Sequence, residues 1–344
     1  MLLVLYILLG ISVLAPIYTY VLYPFVLKLL PQKKFETKGY YTPTISVIIV
    51  NGDDSRGNDR KNEIMNSHLD NVLEIISCHN QNEAIDKLPD LRGEVVIVSD
   101  GNSSFLKDTI PVLIAPLVNE RVACVSGMSR KTPDNDGCFH DGANWKYENR
   151  IKRLESRIGC LSGANPSVFA FKREALKGVI SREIHMNFYI PTALEEVGFN
   201  VLFEPSSVVY EGEQSEGDLF KKHIEDGASG FRSIARFWKL LLPRYGSFVF
   251  WSHRVMKWLV PLNILTLTIG CGILAHQYKW ALALFIVQLL FYVYVAVYYA
   301  FFTLKGKDIP GPIGKLSGYA SYFVVLNVAW FCGLIKAVKN DKRK

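Results

Sequence analysis

Charge is scarce in this 344-residue sequence: 21% of residues are Asp, Glu, Lys or Arg, against 49% hydrophobic. The mean hydropathy is +0.15. A disordered chain needs low hydrophobicity and is excluded. Cysteine is also sparse. Cys78, Cys124, Cys138, Cys160, Cys271 and Cys332 are dispersed, too thinly for a disulfide scaffold and without metal-ligand spacing. Internal repeats and low-complexity tracts are lacking. The formal charge of +7 suits anionic lipid headgroups. The basic residues of 146–157 are not interleaved with aromatics, so nucleic acid is set aside as a partner.

The scarcity of charge is concentrated in a few runs. Met1 to Leu27 has no charged side chain, and about 20 apolar residues span a bilayer core. The run lacks a basic start and is long for a secretory signal, so a retained anchor is expected. Lys28, Lys33 and Lys34 follow it, placing that flank in the cytoplasm. Trp258 to Tyr278 and Trp280 to Leu304 are free of Asp, Glu, Lys and Arg, with Lys279 between them, and read as a hairpin. Leu316 to Ile335 is a further apolar run before a basic tail. If it crosses, the tail lies outside, against the positive-inside rule; a re-entrant or interfacial segment keeps the tail inside. Both readings stay open. Phe231 to Lys257 mixes Arg232, Arg236, Lys239, Arg244, Arg254 and Lys257 with Phe, Trp and Leu, as in a helix lying among headgroups. A channel or transporter has little support, with so few segments and Lys279 alone charged in the hairpin.

The expected organisation is an anchor (1–27), a linker (28–42), a cytoplasmic α/β domain (43–230), amphipathic interfacial helices (231–257), two or three membrane segments (258–338) and a basic tail (339–344). Within the domain, strands are predicted at Ile45–Val50, Val72–Ser77, Glu94–Ser99, Val122–Ser126, Ser167–Phe171, Val201–Phe203 and Val208–Tyr210. Helices are predicted at Asp59–Leu69, Ala143–Ile158, from Lys172, and at Tyr189–Glu196, the last closed by Gly198. Alternating strands and helices imply a mostly parallel sheet, with ligands at the strand C-terminal ends.

Two acidic clusters follow strands: Asn51-Gly52-Asp53-Asp54 and Ser99-Asp100-Gly101-Asn102. Oxygen ligands at strand ends suit Mg²⁺ or Mn²⁺, which bind phosphate in turn. A divalent ion would neutralise charge on a departing diphosphate. The same residues are also common turn formers.

An ordered set of motifs resembles the membrane-bound family 2 glycosyltransferases, the group of hyaluronan, chitin and cellulose synthases. It runs from Tyr23-Pro24, through Pro43 to Ile49 and Val96 to Asn102, to Val122 to Gly127. It continues with Trp145-Lys146-Tyr147-Glu148, Leu154-Glu155-Ser156, Gly163-Ala164-Asn165, Phe188-Tyr189-Ile190-Pro191, Gly198-Phe199 and Glu204-Pro205. Ser252 to Trp258 closes the series. The resemblance implies a GT-A type domain with N- and C-terminal transmembrane helices, transferring a sugar from a UDP-sugar donor to a polysaccharide or lipid-linked acceptor, with inversion and in dependence on a divalent metal. It implies Asp53 and Asp54 near the nucleotide, Asp100 with Asn102 on the metal, and Lys222 and His223 facing the diphosphate. Gly163, Ala164, Asn165, Trp145 and Glu148 would line the acceptor site. The bilayer of the plasma membrane, a second copy or a synthase subunit are the implied partners.

Three departures stand out. The stretch from Ile45 to Asp100 is shorter than the family's by roughly one strand–helix unit. The acidic residue expected just before Phe188 is absent: His185-Met186-Asn187 stands there, leaving Asn187, Glu183 or His185 for the base position. Asp226 stands where the family has Arg. These departures motivate an alternative, a catalytically impaired relative acting as a partner subunit.

Overall fold

The computed structural model describes residues 2–35, 41–52, 54–65, 71–131, 141–178, 180–212, 216–240, 245–305 and 311–341. Among them, seven strands form one sheet: β1 (Ile45–Val50), β2 (Val72–Cys78), β3 (Val95–Asp100), β4 (Ser103–Phe105), β5 (Val122–Lys131), β6 (Val168–Lys172) and β7 (Asn200–Glu211). Their order is β2-β1-β3-β6-β5-β7-β4. β1 and β3 are runs of β-branched residues buried almost throughout, as central strands covered on both faces require. They pair in parallel with Val50 opposite Asp100, so their C-terminal tips lie side by side.

The sheet is mixed, which corrects the expectation of a mostly parallel one. β2–β1, β1–β3 and β5–β7 are parallel. β3–β6, β5–β6 and β4–β7 are antiparallel. β6 runs between β3 and β5 and starts beside the end of β3, with Asp100 N donating to Ser167 O at 3.2 Å. Alternation of strands and helices does not specify at which edge the chain re-enters the sheet. The two short strands expected between 201 and 210 are one strand, β7, whose pairing with β5 shifts register between Ser126 and Met128. A bulge of this kind lets Glu204-Pro205 sit inside a strand.

The helices around the sheet are α3 (Asp54–Met65), α4 (Gln81–Lys87), α5 (Thr109–Ile114), α6 (Asp141–Arg157), α7 (Met186–Glu196) and α8 (Glu216–Phe237); α1 (Leu2–Ile17) and α2 (Tyr23–Leu29) precede them. Instead of a helix from Lys172 there is a single 3₁₀ turn, Arg173–Ala175. α4 and α5 were not expected; both are short, and brief helices leave little periodicity to read. Gly198 closes α7 at φ +99°, a conformation that costs glycine little.

α1 runs through a π-helical stretch, Tyr18–Leu22, into α2. α9 (Tyr245–Val249) passes through another, Phe250–Val255, into α10 (Met256–Leu274); α11 (Lys279–Lys305) and α12 (Pro312–Asp341) follow. Among the described residues, four helices are long and apolar enough to cross a membrane: Leu2–Leu29, Tyr245–Leu274, Lys279–Phe301 and Pro312–Lys339. The stretch 231–257, read from sequence as interfacial, divides between the end of α8 and the start of the second of these.

α10 begins against the sheet domain, where Arg254 Nη1 donates to Thr192 Oγ1 at 2.9 Å. It ends beside the start of α1, where the Tyr6 and Tyr278 rings meet edge-on. α11 returns, and Tyr298 near its end donates to Gly314 O at 3.4 Å in α12. The second half of α12 then packs along α8: Trp330 lies against Gly227, and Lys336 pairs with Glu225. A Cβ at Gly333 would stand 2.7 Å from Ala228 N and Ile224 O, both backbone atoms of α8. Gly333→Val is therefore expected to push α12 off α8 at a cost of about 1–3 kcal/mol. A lowered thermal midpoint of the detergent-purified protein checks this, and an unchanged midpoint would refute the close packing.

Candidate active site

The β1 and β3 tips create the first half of the site. Asn51 follows β1 at φ +58°, a left-handed conformation that Asn tolerates better than most residues. Its Nδ2 donates to Asp100 Oδ2 at 3.3 Å, while Asn102 N donates to Asp100 Oδ1 at 2.9 Å. Asp100 is half-buried and has no Lys or Arg within ion-pair distance among the described residues. A cavity of about 420 Å³ opens over it. Asn51, Asp100 and Asn102 line one wall; Asn80, Gln81 and Asn82 another; Arg182, Glu183, His185 and Asn187 a third. Lys222, Asp226 and Arg232 of α8 close it.

Polar clamps position these walls. Gln81 accepts from Met186 N at 2.9 Å and donates to Ile184 O at 3.1 Å, tying the start of α4 to the start of α7. His185 N donates to Ser229 Oγ at 2.7 Å, and His185 Nδ1 lies 3.1 Å from Asp226 Oδ1. Burial would raise the Asp226 carboxyl. The His185 hydrogen bond and the charges of His185, Lys222 and His223 outweigh it and hold the group below the usual range. Arg232 Nη1 donates to Glu183 O at 3.3 Å; its Nη2 is buried without a hydrogen-bond partner among the described residues.

A second cleft, about 280 Å³, adjoins the first. Pro166, Asn187 and Asp226 line both. Its other walls are Trp145, Glu148 and Lys152 of α6, the turn 162–165, the α10 entry at His253, Arg254, Lys257 and Trp258, and Tyr322, Leu326 and Trp330 of α12. Beneath it lies a buried polar network. Glu155, fully buried, accepts from Tyr23 OH, His253 Nδ1 and Ser162 N, each at 2.8 Å. It locks α2, α6 and the α10 entry together. Burial pushes Glu148 up, but the Lys257 and His253 charges bring it down to about 2.

Nearby Glu195 behaves oppositely. Burial pushes its carboxyl up to about 8, although Leu161 N donates to it at 2.7 Å. The native state therefore holds a proton that the unfolded chain releases above its ordinary value of 4.5. Stability should fall as pH rises from 4.5 to about 8, by at most about 1.4 kcal/mol per pH unit. Glu195→Gln is expected to flatten this decline and raise the thermal midpoint at pH 8 relative to the unsubstituted chain. Parallel pH profiles for the two proteins would refute it.

The structure brings most of the expected residues together. Asp100, Asn102, Lys222, Glu183, His185 and Asn187 line the first cavity. Gly163, Ala164, Asn165, Trp145 and Glu148 line the second, and His223 joins them rather than the first. Asp53 lies outside the described residues; Asp54 begins α3, and its side chain also lies outside them. Sequence reasoning missed Arg182, Arg232 and Arg254. It met Asp226 only as an anomaly, although Lys222 and Asp226 share a helix face at i, i+4 spacing.

Among the described residues no group of three His, Cys, Asp or Glu side chains could hold a metal ion. That is no obstacle to Mg²⁺ or Mn²⁺, which commonly bind through one or two carboxylates plus substrate phosphates. Among the described residues each Asp100 oxygen accepts one hydrogen bond and keeps lone-pair capacity, so the residues present fit such an ion.

No family model matches this chain, and no curated protein matches it. Among solved structures, it is similar to the mannosyltransferase PcManGT from Pyrobaculum calidifontis in complex with GDP-Man and Mn2+. The identity is 15%, the match covers 96% of this chain and 99% of that one, and the TM-score is 0.66. It also matches, over part of its length, glucosyl-3-phosphoglycerate synthase from Mycobacterium tuberculosis (13% identity, 60% and 88% coverage, TM-score 0.38). Mannosyl-3-phosphoglycerate synthase from Rubrobacter xylanophilus matches similarly (13%, 59% and 77%, TM-score 0.40). The first likeness, spanning both chains nearly end to end, shows the fold alone: a GT-A type domain, here carrying apolar helices at both ends.

Proposed function

We propose that the chain is a membrane-bound glycosyltransferase that moves a sugar, with inversion, from a nucleoside-diphosphate sugar in the first cavity to an acceptor hydroxyl in the second. The observation that carries this reading is the junction, where Pro166, Asn187 and Asp226 face both cavities. A donor with its diphosphate over Asp100 and its sugar at the junction would meet an acceptor there.

Asp226 is the base. Kept ionised by His185, it takes the proton as the acceptor O–H bond breaks and the new bond to the anomeric carbon forms. The bond from that carbon to the diphosphate breaks, and its electron pair leaves with the nucleotide. Asp226 thereby supplies from α8 the carboxylate that the sequence lacks before Phe188, which answers the main motive for an inactive partner-subunit reading. His185 is a positioning residue, and Asn187 and Glu183 are cavity walls. Arg182, Lys222 and Arg232 face the developing negative charge. Asp100, with Asn102, would hold Mg²⁺ or Mn²⁺, which when bound offsets the charge of the leaving diphosphate.

The donor is a UDP-sugar by the motif resemblance; PcManGT's GDP-Man makes GDP-mannose the necessary comparison. Lys28, Lys33 and Lys34 support a cytoplasmic domain, and the plasma membrane is the proposed location. The test is release of nucleoside diphosphate from a panel of UDP- and GDP-sugars by the full chain in detergent with Mn²⁺. Turnover of one donor supports the reading; failure to bind or turn over any of them removes it.

A further inference from the structure

A third concavity, a groove of about 850 Å³, lies away from both clefts. β6 runs antiparallel to β3 with Lys172 opposite Val95. The turn that follows β6 therefore stands at the beginning of β3, a full strand away from Asp100 at its end. Ile85, Leu88, Phe171, Leu176 and Ile180 form the apolar part of the lining. They are an open edge of the main core: Ile85, Phe171 and Ile180 are buried in it, and Leu88 and Leu176 pack against it part-exposed. A concave site of this size, apolar with a few polar groups, has the make-up of a small-molecule pocket.

The polar group in this lining is Arg173. Its Nη1 donates to Leu91 O at 3.0 Å. Its Nε is buried without a hydrogen-bond partner among the described residues. No carboxylate lies within ion-pair distance of the guanidinium among them either. Two carboxylates share the groove: Asp86 is paired with Arg182, and Glu174 is exposed. A buried donor without an acceptor is costly, and the Nε–Nη2 edge of a guanidinium is one on which a carboxylate sits with two parallel hydrogen bonds.

The groove also shares a wall with the first cavity. Ile180 and Arg182 line the groove; Arg182, Glu183, His185 and Met186 line the cavity. The segment 180–186 thus stands between the two, and it carries the His185 that holds Asp226. We propose that the groove is a further ligand site, for a small carboxylic acid with an apolar body, and that its occupant is an effector of the first cavity. The carboxylate lies on the Nε–Nη2 edge of Arg173, and the apolar body covers Leu88 and Leu176. The occupant braces the segment 180–186 from one side as a nucleotide does from the other, so each ligand tightens the other by the same factor. Only this coupling rests on the transferase reading; the site itself stands on Arg173 and the apolar lining.

The test is ligand-observed NMR titration of the full chain in neutral detergent, with phenylacetate, phenylacetamide and acetate as probes. Saturable binding of phenylacetate is expected. The amide, which lacks the charge, and acetate, which lacks the ring, should each bind about 10-fold more weakly or worse. Arg173→Gln should weaken phenylacetate binding about 10- to 100-fold, as loss of a charge-assisted hydrogen bond does. Leu176→Glu, which sets a negative charge in the lining from a part-exposed position, should weaken it with Arg173 intact. An unchanged thermal midpoint shows that a variant is folded, and if one variant unfolds the other decides. Absence of saturable phenylacetate binding, equal binding of phenylacetate and its amide, or indifference to the substitutions overturns the site. Saturating phenylacetate should also tighten UDP or GDP binding with Mn²⁺ about 5-fold or more; an unchanged or weakened nucleotide affinity overturns the effector role. Absence of nucleotide binding with phenylacetate binding intact would overturn the transferase reading and leave the site standing.

Discussion

Asp226→Asn is expected to lower the transfer rate about 10²- to 10⁴-fold, the usual contribution of a positioned general base, while leaving nucleotide binding nearly unchanged. The substitution keeps the shape of the side chain in α8 and removes only its ability to take a proton. Single-turnover transfer together with calorimetric nucleotide titration checks both halves. The dyad also predicts a pH effect. Asp226 titrates below the usual range because burial is outweighed by the His185 hydrogen bond and the surrounding positive charge. Its base form therefore persists into acid, and the acidic limb of the rate profile attributable to it lies below the ordinary aspartate value. His185→Asn removes the bond and the charge, so this limb should move toward higher pH. A limb that stays in place would mean that His185 does not hold Asp226 in the working enzyme.

Asp100→Ala is expected to abolish metal-dependent nucleotide binding and to cost about 10²-fold or more in transfer, since electrostatic stabilisation of a leaving group is commonly of that size. The carboxylate is half-buried and held by two hydrogen bonds, from Asn51 and Asn102, so the variant should fold. Titration with the nucleotide product in the presence and absence of Mn²⁺ is the measurement. Asp226→Asn binds and fails to transfer; Asp100→Ala fails at binding. If the two variants behaved alike, the division of labour between the cavities would be wrong.

The strand tips were legible because local chemistry is enough to mark them. A buried β-branched run followed by Asp-Gly-Asn at 100–102 announces a strand ending in oxygen donors, and β3 ends at Asp100. The turn 163–165 was readable as a motif, and it lines the second cleft. The direction of β6 was not readable, nor was the union of 200–211 into one strand, because both depend on which strands lie alongside. Asp226 shows the limit most clearly. In sequence it is a charge out of place, 41 residues from its partner; in the structure His185 lies 3.1 Å from it. Arg254 is similar. Its neighbours Ser252 and His253 read as an entry to a membrane hairpin, and only the fold shows its guanidinium buried over the Phe188 ring.

The order of apolar runs and strand signals determined from the sequence alone that this is an α/β domain between helices long and apolar enough to cross a membrane. Those features are local, set by periodicity and by the length of chain needed to cross lipid. Which side chains face one another across the junction was decided only by the tertiary structure. Packing of α7, α8, α10 and α12 brings 187, 226, 254 and 330 to one cleft, and contacts so distant along the chain leave no periodic trace in it.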